Sequence, residues 1–289
     1  MANQSFFILN PISGGKSNDD RRNKIEAYIQ SQDSCTLVRS EYKGHAYELA
    51  RENSTKYKNI IAVGGDGTAN EVAHGILNTD AKLGIIPLGS GNGLAHHLGV
   101  SDNWEETIAF IKKGKTRKID IIYANEIPII NVGGIGFDGH ISKLFDSSSN
   151  RGLASYMKLI LKEVVSYKEF KYKLRSNEVN LQGSAFIMAF ANATEFGNEV
   201  KIAPNAIHND GKFNLITIRK PPFWAIPSVL LKAYAGKIDQ SKYYQEHLLE
   251  SAEIDCDLTV LHRDGEVDSN SDVTSLSIRI VPNAMDVYY

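Results

Sequence analysis

Short apolar runs alternate with amphipathic stretches through the first 115 residues of the chain. Four of these runs have the length and the content of β-branched and aromatic residues that are typical of buried strands. They are "SFFIL" at 5–9, "CTLVR" at 35–39, "NIIAV" at 59–63 and "LGIIP" at 83–87. Strands that alternate with helices predict a parallel sheet flanked by helices.

Two of the intervening stretches carry clear helix signals. In "SNDDRRNKIEAYIQ", Ser17 or Asn18 can cap the helix, and the two aspartates that follow suit the positive end of its dipole. The stretch "WEETIAFIKKG" ends on two lysines and Gly114, which is a typical helix C-terminus. We therefore expect helices over both stretches.

The pattern changes after residue 118, where strand-like segments follow one another with turn residues between them. These segments are "KYKLRS", "SAFIMAFANA", "KFNLITI", "AEIDCDLTVL" and "SLSIRIV". They predict a mostly antiparallel second domain. The stretch 151–175 differs, because an apolar stripe at helical spacing is accompanied by several lysines. It predicts a helix that packs on its own domain or docks on anionic lipid headgroups.

Composition narrows the class of protein. The 289 residues are 42% hydrophobic, which is enough for a packed core and favours two domains or one large one. A net charge of −2 gives no basic field that would attract nucleic acid. Two distant cysteines fit neither a disulfide framework nor a zinc site, so a reducing cytoplasm is expected. No apolar run approaches the ~20 residues of a membrane span, and the N-terminus is too polar for a signal peptide.

A glycine-rich segment, "GGDGT" at 64–68, stands where the third strand meets the next helix. Free backbone N–H groups at the start of a helix bind anions, and glycine lets a ligand approach the backbone. Gly64, Gly65 and Gly67 therefore predict a phosphate site at the carboxyl end of a central strand. The carboxylate of Asp66 would repel phosphate unless a divalent cation or a transferred proton intervenes. This combination points to a magnesium nucleotide, and a plain glycine-rich turn in which Asp66 caps the helix stays open for this segment taken alone.

Two further polar loops follow strands of the same sheet. "NPISGGKS" at 10–17 follows the first strand, and "PLGSGNGLA" at 87–95 follows the fourth. Because the carboxyl ends of parallel strands meet at one edge of a sheet, the three loops are expected to surround one nucleotide.

The three loops, in this order, resemble the diacylglycerol kinase catalytic domain family, which includes bacterial lipid kinases, sphingosine kinases and ceramide kinases. The resemblance continues through "NVGGIGFDG", "IAPNAIHNDGKFNL" and "HRDGE", and so covers nearly the whole chain. It implies an α/β plus β architecture with the active site in a cleft between two domains. A nucleotide-binding α/β domain with a parallel sheet would span 1–118, and 283–289 would return to it. A mostly antiparallel, lipid-binding β-sandwich would span 119–282.

The resemblance implies ATP and Mg²⁺ as cofactors and assigns the nucleotide contacts position by position. They are Asn10, Pro11, Ser13, Gly14, Gly15, Lys16, Ser40, Gly64, Gly65, Asp66, Gly67, Thr68, Asn70, Glu71, Gly89, Ser90 and Asn92.

The same resemblance implies the catalytic and metal-binding groups. Asp264 of "DGE" would remove the proton from the lipid hydroxyl, with Glu266 as a partner of magnesium or water; some family members use the glutamate as the base. In the sphingosine kinases the aspartate of GGDGT is the proposed base, which makes Asp66 a rival. A structural magnesium would be held by Asp210 and by the backbone carbonyls of Ile207 and Lys212.

One position departs from the bacterial pattern, because Gly93 stands where many bacterial members have an aspartate. The "GSGNGLA" form is closer to the sphingosine-kinase branch. The resemblance as a whole implies diacylglycerol as the acceptor. The form of the third loop makes a sphingoid base the alternative. NAD kinases also carry GGDGT, so a kinase with a soluble acceptor and a catalytically silent nucleotide-binding module stay open.

The implied partner is a lipid substrate at a membrane surface, with the protein in the cytoplasm and peripheral at the inner membrane face. A homodimer is compatible with the family. The string "GIGFDG" matches the dinucleotide-binding pattern GxGxxG, but no clean βαβ unit surrounds it. An NAD or FAD site is therefore not expected there.

Overall fold

The computed structural model describes residues 5–89, 91–146, 153–195, 200–267 and 271–289. The chain divides into two units. The first unit holds the described residues up to Asp120 together with Asn283–Tyr289, and the second holds the described residues from Ile121 to Pro282.

The first unit has mixed α/β structure, and the predicted strands are present in it. Its strands are β1 (Ser5–Leu9), β2 (Cys35–Arg39), β3 (Asn59–Gly64) and β4 (Lys82–Pro87), joined by the end of β14 (Asp272–Tyr288). Its helices are α1 (Asp19–Gln30), α2 (His45–Asn53), α3 (Asp66–Ile76), α4 (Gly93–His97) and α5 (Trp104–Lys113). Gly114 ends α5 with a φ of 71°, as its position in the sequence predicted.

The strands of this unit form a parallel sheet. β1 lies between β2 and β3, β4 pairs with β3, and Val287 of β14 pairs with Leu83 of β4. The chain thus adds β2 on one side of β1 and then crosses to add β3 on the other. Ligands of open α/β sheets bind outside the carboxyl ends of the strands at such a change of direction. The loops after β1 and β3 are therefore in the favoured position.

The core of the first unit holds the sheet and two helices together. Apolar side chains of α1 and α5 pack against the strands; the buried ones are Phe7, Leu9, Ile25, Ile29, Ile61, Val63, Ile86, Leu88, Ile108, Ile111 and Tyr288. Their burial removes the apolar face of each strand from water, which is the main favourable term in folding. It also fixes the strand ends from which the loops start.

The second unit is an antiparallel β-sandwich with three helices. Its strands are the end of β5 (Thr116–Ala124), β6 (Ile127–Ile129), β7 (Val132–Gly136), β8 (Phe170–Arg175), β9 (Asn180–Ala185), β10 (Ile187–Ala191), β11 (Phe213–Ile218), β12 (Tyr244–Leu249), β13 (Ser251–Arg263) and the first part of β14. Its helices are α6 (Phe137–Asp146), α7 (Leu153–Ser166) and α8 (Ile226–Tyr234).

Strand β13 takes part in both layers of the sandwich. Its first part pairs with β8 and β14, and its last three residues, Leu261 to Arg263, pair with β7. The register shifts between Asp255 and Thr259, which marks a bulge. A bulge bends a strand and increases its twist, so β13 can pass from one layer to the other. The end of β13 leads directly into the "DGE" segment.

The three helices of the second unit pack outside the sandwich. α6, α7 and α8 share an apolar cluster that includes Phe137, Val164 and Ile226. Within the part of the chain that the structure describes, no helix combines the length and the apolar character needed to cross a bilayer.

Candidate active site

The loops after β1 and β3 are joined by two hydrogen bonds. Asn10 Nδ2 donates to Thr68 Oγ1 over 3.0 Å. The backbone N–H of Gly65 donates to Ser13 Oγ over 3.2 Å. The bonded residues are 58 and 52 positions apart in sequence, and the sheet brings them together as predicted.

The loop after β4 completes the group. Asn18 Nδ2 donates to the carbonyl oxygen of Leu88 over 3.0 Å, which ties this loop to the start of α1. Within the loop, Asn92 Oδ1 accepts the N–H of Gly89 at 2.8 Å, and Asn92 Nδ2 donates to Gly89 O at 3.0 Å. Asn92 has a φ of 57°, a conformation that asparagine tolerates better than most residues.

Two glycines touch where the second and third loops meet. A Cβ added to Gly89 would lie 2.6 Å from the α-carbon of Gly65, and one added to Gly65 would lie 3.1 Å from the α-carbon of Gly89. The close approach therefore requires glycine at position 89 and favours it at position 65. Gly67 differs, since a Cβ there would meet no atom within 4 Å. Gly67 lies in the first turn of α3, where backbone N–H groups are available to an anion.

Asp66 begins α3 and contacts the start of α4. Its Oδ1 accepts the backbone N–H of Leu94 at 3.3 Å. Burial raises the pKa of the Asp66 carboxyl, although the N–H groups of Leu94, Asn92 and Gly93 act in the opposite direction. A bound phosphate close to this group would add repulsion and favour its protonation further, unless a cation offsets the charge.

Two other predicted nucleotide residues have contacts that stabilise the fold. Glu71 accepts the backbone N–H groups of Gly44 and Ala46 at 2.9 and 3.1 Å, so its carboxylate caps α2. Ser40 is buried, and its backbone N–H donates to Leu9 O at 2.9 Å.

Sequence reasoning missed Arg22, whose guanidinium group binds backbone carbonyls of the first loop. Its NH2 group donates to the carbonyl oxygens of Ser13 and Gly15 at 2.8 and 3.2 Å, and NH1 pairs with Asp19 at 2.6 Å. The arginine is 9% exposed. Its place in the first turns of α1, directly after the loop, was the available signal.

The remaining predicted contacts divide into placed and unplaced residues. Pro11, Gly14 and Gly15 lie on the first loop, Gly64 ends β3, and Asn70 is buried in α3. The side chain of Lys16 and the whole of Ser90 lie outside the described residues.

In the second unit, "DGE" forms a tight turn at the end of β13. Arg263 N donates to Glu266 O at 2.9 Å, and Glu266 N donates to Arg263 O at 2.7 Å. The two residues between them have positive φ, 48° at Asp264 and 85° at Gly265. This is the pattern of a type I′ hairpin turn, for which Asp-Gly is a preferred sequence.

Backbone donors fix the carboxylate of Asp264. Its Oδ1 accepts the N–H groups of Asn131 and Val132 at 2.7 and 3.2 Å, and its Oδ2 accepts that of Ile130 at 3.1 Å. Hydrogen bonds to a carboxylate are stronger than those between neutral groups. Asp264 is therefore both the predicted base and a clasp between its turn and the start of β7.

A buried histidine and an aspartate lie close to this turn. His262 is 2% exposed, and its Nε2 lies 2.9 Å from Oδ2 of Asp138. The other oxygen of Asp138 accepts the N–H of Gly139 at 2.9 Å. Asp138 belongs to "GIGFDG", and β7 in that segment pairs antiparallel with both of its neighbours. The segment therefore lacks the parallel βαβ unit of a dinucleotide site.

The predicted structural metal site lies on an exposed turn of the second unit. Asp210 Oδ1 accepts the backbone N–H of Lys212 at 3.0 Å, and Gly211 between them has a φ of 77°. Ile207 is exposed. Among the described residues, no three His, Cys, Asp or Glu side chains gather as a metal site would require. The assignment of magnesium to Asp210, Ile207 and Lys212 stays a prediction, as does the placement of the active site between the two units.

Family comparisons cover almost the whole chain. The family "Diacylglycerol kinase catalytic domain" matches residues 4–124. The family "YegS C-terminal NAD kinase beta sandwich-like domain" matches residues 131–289.

Individual relatives differ in how much of their length is matched. A protein of Synechocystis sp. is 25% identical over 64% of this chain, which spans 46% of that protein's length. A protein of Streptococcus pneumoniae serotype 4, whose provisional name is lipid kinase, is 25% identical over 99% of this chain and 97% of its own.

A solved structure matches the fold. The crystal structure of a diacylglycerol kinase from Bacillus anthracis str. Sterne superimposes with a TM-score of 0.74 at 21% identity. The match covers 99% of this chain and 97% of that one. It confirms the predicted combination of an α/β domain with an antiparallel β-sandwich.

Proposed function

The chain belongs to the diacylglycerol kinase family with a YegS-type C-terminal domain, and we propose that it transfers the γ-phosphoryl group of ATP to the hydroxyl of a lipid. Diacylglycerol is the first candidate acceptor. Membership of the family supports a lipid kinase. The identity of the acceptor lipid and the use of magnesium go beyond family membership and are proposed here.

One observation in particular supports the nucleotide half of this function. The loops after β1, β3 and β4 are joined to one another at the change of strand direction through Asn10–Thr68, Ser13–Gly65 and Asn18–Leu88. Gly65 and Gly89 have no side chains that could cover the backbone where the two loops meet. The space beside Gly67 is open. A triphosphate fits such a site, because its charge is spread over many oxygens that backbone N–H groups can bind.

In the proposed reaction, Asp264 accepts the proton of the lipid hydroxyl. The hydroxyl oxygen forms the new bond to the γ-phosphorus, the bond to the β-phosphate oxygen breaks, and ADP leaves with both electrons of that bond. Three N–H donors orient the Asp264 carboxylate. The two oxygens of a carboxylate offer about four acceptor positions in all, so the group can accept several such bonds at once. General-base assistance is typically worth about 10²–10⁴ in rate. Two other residues are alternative bases: Glu266 in the same turn as Asp264, and Asp66 at the start of α3.

Magnesium in the proposal arrives with ATP. Mg²⁺ usually keeps several waters and takes phosphate oxygens with one or two carboxylates, so it does not need a complete protein cage. When bound, it neutralises charge that develops on the phosphates. Asp66, whose pKa is raised by burial, would become less costly when ionised beside such a cation.

Three alternatives lead to different results in one assay. A sphingoid base is favoured by the "GSGNGLA" form of the third loop, a soluble acceptor such as NAD by the GGDGT motif alone, and a silent binding module by Gly93. Radiolabelled ATP should be offered with diacylglycerol, sphingosine, NAD and fructose phosphate in parallel, with the lipids dispersed in detergent. We expect label in diacylglycerol. Label in a soluble acceptor, or ATP binding without transfer to any acceptor, would overturn the proposal.

A further inference from the structure

Two adjacent aromatic side chains of the second unit are open to solvent. Phe223 is 67% exposed and Trp224 is 75% exposed. They lie in a short 3₁₀ turn, Phe223–Ala225, that follows Pro221 and Pro222 and leads into α8. Burial of a large apolar side chain is favourable, so two adjacent exposed aromatic side chains indicate an interaction surface.

The exposed apolar surface continues along α8. Trp224, Pro227 and Leu231 recur at intervals of three and four residues, and all three are exposed. The opposite side of the helix is already used, because Ile226 and Leu230 pack against the apolar cluster of the second unit. α8 is therefore apolar on two faces: one packs on the apolar cluster, and the other is left uncovered by the described residues.

The aromatic turn is held in a fixed position by the C-terminus of α7. Lys220 Nζ donates to the carbonyl oxygens of Val165 and Tyr167 at 2.9 and 2.6 Å, and Lys220 N donates to Glu169 Oε1 at 2.8 Å. These bonds satisfy carbonyls at a helix end that would otherwise need water. The two aromatic rings are thus presented from an ordered support.

Helix α7 adds apolar and charged side chains beside this turn. Leu161 and Val165 are one helical turn apart and exposed, and Val165 carries one of the carbonyls that Lys220 binds. We call Leu161, Val165, Phe223, Trp224, Pro227 and Leu231 the aromatic surface. The bond between Lys220 Nζ and Val165 O joins α7 to the segment before the aromatic turn, and α7 and α8 both contribute side chains to one apolar cluster.

The charges around the aromatic surface are mainly positive. No acidic residue occurs from Lys220 to Ile238 in the sequence. Exposed lysines flank it at Lys158, Lys162, Lys168 and Lys237. Of the nearby carboxylates, Glu163 contacts Lys162 and Glu169 contacts Arg219, whereas Asp239 is exposed two residues after Lys237. Basic residues near an anionic bilayer are attracted by its negative surface potential.

We propose that the aromatic surface inserts into the headgroup region of an anionic lipid bilayer. Tryptophan prefers the membrane interface, and an apolar helix face bordered by lysines is the pattern of a helix that lies in the plane of that interface. A bilayer fits better than a protein partner if the acceptor is a lipid, so the choice of occupant rests on the proposed function. The sequence had suggested docking through 151–175; here the principal contact is the turn before α8.

The chain offers an internal probe for this contact, because it contains only two tryptophans. The other one, Trp104, packs against Tyr28 in the first unit with ring centroids 5.4 Å apart. The Trp104→Phe variant leaves Trp224 as the sole tryptophan. Its fluorescence should be recorded with vesicles of phosphatidylcholine alone and with 30% phosphatidylglycerol, without nucleotide. We expect a blue shift with the anionic vesicles and quenching by brominated lipid.

Binding is measured separately by co-sedimentation with the same vesicles. The double variant Phe223→Ser/Trp224→Ser should lower the partition coefficient at least tenfold without lowering the melting temperature, because both side chains are exposed. Leu258→Ser is the matched control, since Leu258 is 71% exposed on β13, outside the aromatic surface, and its replacement should leave binding unchanged.

Three results would overturn the proposal. They are unchanged Trp224 emission with vesicles, equal binding of the double variant and the parent, and a blue shift that follows protein concentration without lipid, which would indicate a second copy of the chain. The kinase proposal is scored independently, by transfer to lipid in detergent. Phosphoryl transfer to lipid without vesicle binding would refute only the membrane-binding proposal. Vesicle binding without phosphoryl transfer would refute only the kinase proposal.

Discussion

His262 Nε2 lies 2.9 Å from Oδ2 of Asp138, although 124 residues separate the two in sequence. Both side chains are shielded from solvent, at 2% and 11% exposure. His262 stands two residues before Asp264, on the strand end that carries the "DGE" turn. The pair therefore supports the segment on which the proposed base depends.

We predict that Asp138→Asn lowers the free energy of unfolding by about 1–3 kcal/mol, because the variant weakens a buried hydrogen bond to His262. Urea unfolding monitored by circular dichroism measures the change. The matched control is Asp255→Asn on β13, the strand that carries His262; Asp255 pairs with Arg175 at 2.9 Å, but both side chains are more than half exposed. That change should cost less than about 1 kcal/mol. If the two variants lose the same free energy of unfolding, the buried pair stabilises the fold no more than the exposed pair does.

Asp264→Asn should lower the turnover number by about 10²–10⁴ through loss of the general base. Asparagine tolerates the positive φ of this position and keeps one acceptor oxygen, but its NH₂ group cannot accept the N–H of Ile130 in place of Oδ2. Some loss of stability is therefore expected in addition, and thermal melting must be measured beside the kinetics.

Gly265→Ala separates these two effects. Gly265 has a φ of 85°, so alanine strains the turn while the carboxylate of Asp264 is retained. If Asp264 is the base, turnover falls far more in Asp264→Asn than in Gly265→Ala at comparable melting temperatures. A parallel fall in both would reduce Asp264 to a purely structural clasp.

Two glycine variants test the phosphate site from opposite directions. Gly89→Ala places a methyl group 2.6 Å from the α-carbon of Gly65, so we expect a loss of about 1–3 kcal/mol in stability. Gly67→Ala meets no protein atom within 4 Å and stands in a helix, so the fold should be retained or slightly stabilised.

The informative result is ATP binding by Gly67→Ala. If the open space beside this residue receives phosphate, its methyl group should weaken binding of ATP with magnesium at least tenfold, measured by isothermal titration calorimetry. Wild-type affinity in a well-folded Gly67→Ala protein would place the triphosphate elsewhere.

The raised pKa of Asp66 predicts a pH dependence of stability. Because burial raises the pKa, the folded protein holds this proton at a pH where the unfolded chain has released it. Stability is therefore lost as the pH rises from the ordinary aspartate pKa through the folded value. Asp66→Asn removes this term, so its stability relative to the parent should increase from pH 4 to pH 7. Paired urea titrations at several pH values measure the difference; a gap that stays constant or narrows would show that the carboxylate has no such cost.

Much of the first unit was predictable because its signals are local. The strands at 5–9 and 35–39 match the predicted bounds, since each is a short apolar run between polar segments. Asn18, one of the two predicted caps, stands at the N-cap of α1, yet its side chain accepts no helix N–H, and its Nδ2 donates to Leu88 O. A neighbouring loop competes for the same amide, and no local pattern reports that competition.

The same limit applies to the site. Glycine-rich segments after three strands indicated a phosphate site, because parallel strands bring their ends together. The carboxylate partners were not predictable: Glu71 caps a helix that precedes it, and Asp138 meets a histidine far along the chain. Each contact depends on packing between elements, whereas the sequence signals concern single elements.

The left-handed backbone at Asp264 restricts what evolution can place there. Asparagine, aspartate and glycine tolerate that conformation best, whereas a β-branched side chain would strain the hairpin. Relatives of this chain that keep the hairpin can therefore lose the carboxylate in a single step to asparagine or glycine without rebuilding the turn. A search for naturally inactive relatives should begin at this position.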